Sequence, residues 1–113
     1  MPDKSDNLVL DGLTISRGVL DTIVRLASEK VEGVEVAGGT SLRSRVAAGR
    51  PVDIAAGDDG ELFVGIHVRV PYGVRLNAIG ADIQHAIIDA LAVQVGVTPQ
   101  VVNVFIDELS FEQ

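Results

Sequence analysis

The chain has no cysteine and no tryptophan, and only one tyrosine and three phenylalanines among its 113 residues. Without thiols there are no disulfides, thiolate nucleophiles or Cys-ligated zinc and iron–sulfur centres, a composition that fits a reducing compartment. Positive charge is also scarce. Nine Lys and Arg against 16 Asp and Glu give a net charge of −7. Gripping a phosphate backbone needs clustered Lys and Arg, so nucleic acid is not an expected partner. Long apolar runs are missing as well. The best candidate, residues 83–97, is interrupted by Gln84, His85, Asp89 and Gln94, short of the ~18 uninterrupted apolar residues of a membrane span. The first residues, MPDKSDN, lack the basic start and apolar centre of a signal peptide. These absences predict a cytoplasmic protein without direct membrane insertion, reaching the inner face of the cell membrane only through a partner.

What is present is an ordinary globular composition, 47% hydrophobic and 22% charged. The length suits one domain, expected over residues 8–113 after a flexible N-terminus at 1–7. Leu8-Val9-Leu10 reads as a short strand, Asp11-Gly12 as a turn, and Leu13-Thr14-Ile15 as extended. Ser16 is placed to cap a helix over about residues 17–30, with Val19, Leu20, Ile23, Val24 and Ala27 as its apolar stripe and Gly33 ending it. Asp21 and Arg25 stand four apart, acid first, the favourable order for a helix-surface pair.

A hairpin follows, with period-two alternation over residues 52–56 and 62–70. Its register can be deduced. A three-residue loop, Asp58-Asp59-Gly60, pairs 54 with 64 and puts both apolar sets on one face, and Gly60 supplies the left-handed residue such a loop requires. Asn77 is placed to cap a second helix over about 78–95, striped by Ile79, Ile83, Ile87, Leu91 and Val95 and stopped by Gly96. A last strand runs from Gln100 to about Leu109. The order is β-α-β-β-α-β. The predicted fold is a two-layer α+β sandwich, with two helices packed on one face of a small, mainly antiparallel sheet.

The other sheet face carries the functional interest. It should display Asp53, Phe63, Gly65, His67, Arg69, Asn103, Phe105 and Asp107, and no third layer is evident to cover it. Uncovered aromatic surface usually marks a binding site. The alternative is that Phe63 and Phe105 pack on each other or under a neighbouring loop. The candidate partner-binding residues are Phe63, His67, Arg69, Asn103, Phe105 and Asp107. His67 lies diagonally from Asp53, a candidate hydrogen-bonded pair. No third or fourth ligand accompanies it, so no metal is expected. Asp107 and Glu108, adjacent on a strand, should point to opposite faces and so cannot form an acid–base pair. The serines lack a nucleophile-elbow context. No catalytic residues and no cofactor are expected.

Residues 37–50 hold Arg43, Arg45 and Arg50 among glycines and hydroxyl side chains. Gly38 and Gly39 beside Arg43 and Arg45 make a candidate anion-binding loop, although neither the Walker pattern nor the dinucleotide fingerprint is present. An alternative function follows: a small-molecule or nucleotide-sensing domain that uses this loop. RNA stacking on the open face ranks lower, since the basic-aromatic run of RNA-recognition domains is missing.

Several segments together resemble the alkaline shock protein family of envelope-stress proteins, found mainly in Gram-positive bacteria. They are Gly12-Leu13-Thr14-Ile15-Ser16, Val31-Glu32-Gly33-Val34, Val68-Arg69-Val70-Pro71-Tyr72-Gly73, Ile83-Gln84, and Val101 through Ile106 with Phe111. The resemblance covers residues 8–112. It implies a non-enzymatic cytosolic protein linked to cell-wall homeostasis and alkaline or envelope stress, one that self-associates or is held at the membrane by a separate anchor protein. It brings no catalytic residues. The expected function is therefore a scaffold or adaptor whose partners are other copies of itself, a membrane-anchored protein, or both.

Overall fold

A computed structural model describes residues 7–10, 12–36 and 51–111. Two short strands, β1 (Asn7–Leu10) and β2 (Leu13–Ser16), pair as a tight hairpin, Leu10 opposite Leu13. Asn7 thus already belongs to a strand. The helix α1 (Arg17–Glu29) follows directly, and the Ser16 hydroxyl accepts the Val19 N–H at 3.2 Å, the expected cap. The Asp21–Arg25 pair closes at 2.7 Å. The buried stripe is narrower than expected. Leu20, Val24, Ala27 and Ser28 face inward, while Val19 is exposed and Ile23 only half-buried. Ser28 fits because its hydroxyl donates to the Val24 carbonyl one turn back at 2.8 Å. The helix also stops at Glu29, four residues before Gly33.

The main sheet comprises β3 (Glu35–Val36), β4 (Val52–Ala56), β5 (Leu62–Pro71) and β6 (Val101–Ser110). The β4–β5 hairpin has the deduced register, Ile54 opposite Val64. Gly57 N–H meets the Glu61 carbonyl at 2.8 Å, and Gly60 takes φ +84°. β3 and β4 both run antiparallel to β5, and β6 runs parallel along almost its whole length. A strand has two edges. Since β6 occupies one from Phe63 to Pro71, β3 and β4 share the other, end to end.

Between β5 and β6 runs the helix α2 (Leu76–Gln94), the crossover that a parallel pair requires. Its stripe is the expected one: Ile79, Ile83, Ile87 and Leu91 are buried. Gly96 ends it at φ +81°, its N–H returning to Leu91 and Ala92. Its start differs from expectation. Arg75 occupies the cap position without a side-chain hydrogen bond, so Asn77 lies inside the helix. The first turn therefore begins without the side-chain cap predicted at Asn77.

Both helices lie against one face of the sheet and against each other. The core between the layers is aliphatic, centred on Leu20, Leu62, Ile66, Ile83, Ile87 and Leu91. Each such side chain contributes about 1.5–3 kcal/mol on burial. The fold is the expected α+β sandwich, with the first strand doubled into a hairpin and the short β3 added.

Candidate functional site: the open sheet face

Alternation sends every second side chain of β4, β5 and β6 away from the helices. The registers place Asp53, Gly65 and Asn103 in one row across the sheet, and His67 beside Phe105 in the next. Of the six candidate residues, Phe63, His67 and Arg69 are half-buried and Asn103, Phe105 and Asp107 are exposed.

His67 organises this surface. Its ring stacks on Phe105 with centroids 4.6 Å apart and planes 14° from parallel, a contact of about 0.5–1.5 kcal/mol. Its Nδ1 lies 2.9 Å from Asp107 Oδ2. An ionised carboxylate only accepts, so Nδ1 is the donor. The expected diagonal partner Asp53 is farther away, with its Oδ2 3.9 Å from Nε2. Phe105 also reaches over Gly65. A Cβ built there would touch the phenyl ring at 3.4 Å, so the ring covers the gap left by a strand glycine. Phe63 lies instead against Gly57. Together Phe63, Gly65, Asn103, Phe105 and Asp53 line a shallow groove of about 400 Å³.

Three features here were not foreseen. First, β6 carries a bulge. Val68 pairs with Ile106, but Arg69 pairs with Glu108, leaving Asp107 as the extra residue. A bulge turns two consecutive side chains to one side. The expectation that Asp107 and Glu108 face opposite ways is therefore corrected: Asp107 meets His67, and Glu108 stands across from Arg69. Second, Arg17 of α1 reaches the sheet and donates to the Ile54 carbonyl. Nothing in the sequence links positions so far apart. Third, Tyr72 and Phe111 stack at 5.1 Å near the ends of β5 and β6, both largely exposed.

Arg69 Nη1 stands 3.8 Å from Glu35 Oε1, while its buried Nε has no hydrogen-bond partner among the described residues. The proposed anion loop, Gly38, Gly39, Arg43 and Arg45, lies outside the described residues. No helix among the described residues is long and apolar enough to cross a membrane.

A family model for alkaline shock protein 23, described as having a cell envelope-related function, matches residues 6–111. No curated protein matches the chain.

Proposed function

The chain belongs to the alkaline shock protein family, whose function is cell envelope-related, and from that premise we propose that it is a non-enzymatic scaffold or adaptor of the envelope stress response. It works in the cytoplasm and reaches the membrane through an anchored partner. Its mechanism is burial of the open sheet face against a partner surface or a second copy. The observation that supports this reading is the Phe105–His67 stack, held upright by Asp107 while Phe105 remains 44% exposed. Positioning an aromatic ring where it stays wet brings little stability, whereas a pre-ordered ring is what a contact surface uses. Asn103, Arg69 and Asp53 supply the polar rim.

The test is Phe105→Ser, followed by light scattering over a wide concentration range and by capture of the membrane partner from the native host. The contact should weaken by about 2 kcal/mol or more, with the circular-dichroism spectrum unchanged. A variant that keeps both fold and contact refutes this role for the open face.

A further inference from the structure

The helix-facing side of the sheet is not closed at β6. Across one row, Val52 of β4 is 5% exposed and Ile66 of β5 fully buried, yet Val104 of β6 is only half-buried. Ile106 is half-buried as well. Both line a groove of about 310 Å³ between the β6 edge and the first half of α2. The helix wall there is Leu76, Gly80, Ala81 and Gln84. A Cβ on Gly80 would meet nothing within 4 Å, so the groove is unfilled where the helix comes closest to being bare backbone. Among the described residues no strand pairs with the outer side of β6. One of its carbonyls, that of Val102, is instead met by the Gln84 amide at 2.9 Å.

We propose that the outer edge of β6 is a docking site for an extended, basic segment of another protein, which adds as one more strand and lays alternate apolar side chains into the groove against α2. Strand addition uses main-chain hydrogen bonds for affinity and alternate side-chain pockets for selection. The usable edge is residues 101–106, before the bulge, about 20 Å long. An apolar residue entering over Gly80 would complete the burial of Val104 and Ile106. Charge selects the occupant. The chain carries −7, so a second copy opposes like charge with like while a Lys- or Arg-bearing segment is attracted. This site is separate from the open face and does not rest on the function proposed for it.

The test selects a display library of random linear dodecapeptides against the full chain. Enriched peptides should alternate Lys or Arg with Val, Ile or Leu, and should shift the backbone amides of residues 101–106 and 76–84 in nuclear magnetic resonance spectra. Methylating alternate peptide nitrogens should weaken binding about tenfold or more. So should Gly80→Leu, which fills the groove without lowering the melting temperature. If that variant unfolds, the methylated peptides still decide. The proposal is overturned by a library without binders, by binders that tolerate both changes, by shifts confined to Phe63, His67 and Phe105, or by a chain that dimerises through β6 by itself.

Discussion

At the β4 edge the core-side residues Val52 and Ile54 are each 5% exposed, whereas at the β6 edge Val104 and Ile106 remain half-buried. The two edges flank the same central strand and the same pair of helices. What separates them is local cover. β4 has the β1–β2 hairpin beside it, with Leu8 and Leu10 in the core, and the Arg17 guanidinium on the Ile54 carbonyl. The pairings of Gly57 with Glu61 and of His67 with Pro51 turn the polar groups of Val52, Ile54 and Ala56 outward, so Arg17 meets a carbonyl that would otherwise face solvent. Among the described residues, β6 is met on this side by Gln84 of α2, which donates to the Val102 carbonyl. Unpaired edges invite added strands, and proteins usually blunt them. Among the described residues the β4 edge carries this cover, and the β6 edge is the one proposed above to take an added strand.

The sharpest way to break this comparison is to truncate both edges. Ile54→Ala should cost about 2–5 kcal/mol by urea unfolding, as a sealed core site does. Ile106→Ala should cost about half as much, because part of that side chain is already wet. Equal losses would mean that the edges do not differ. Next in size is Asp107→Ala, which frees the His67 ring. It should cost about 1 kcal/mol, less to the extent that water replaces the bond, and should remove the ring-current signature of the His67–Phe105 stack. Gly80→Ala should raise stability by up to about 1 kcal/mol in thermal melts, since the groove beside β6 has room for the added methyl. The smallest effect belongs to Asp21→Ala on the outer surface of α1. It should lose about 0.3–0.5 kcal/mol, and less at high salt.

Most of the architecture was legible because it follows from period and turn chemistry. A three-residue loop at 58–60 puts both apolar sets of residues 52–70 on one face, and Gly60 supplies the left-handed residue that this loop requires. The Ser16 cap and the Ile79–Leu91 stripe are local signals of the same kind. The open face was legible for the same reason: alternation alone places Phe63, His67, Asn103 and Phe105 together. The failures have a common cause. Asn77 looks like a cap, but the helix starts two residues earlier, with Arg75 at the cap position. Val19 matches the stripe, but the helix sits rotated toward Leu20 and Val24. The bulge at Asp107 and the reach of Arg17 depend on what lies across space, which one chain's periodicity does not encode. Strict alternation fails at the residue after Ile106, and with it failed the assignment of Asp107 and Glu108 to opposite faces.

The α2 crossover also sets an order in time. β4 and β5 are joined by a three-residue turn, so their pairing closes a small loop at little entropic cost. β6 reaches β5 only after residues 72–100 have been gathered, a larger loop whose closure awaits the docking of α2. Of β4 and β6, the strand that closes the larger loop and has no partner on its outer side among the described residues is the one whose amides should exchange with deuterium sooner.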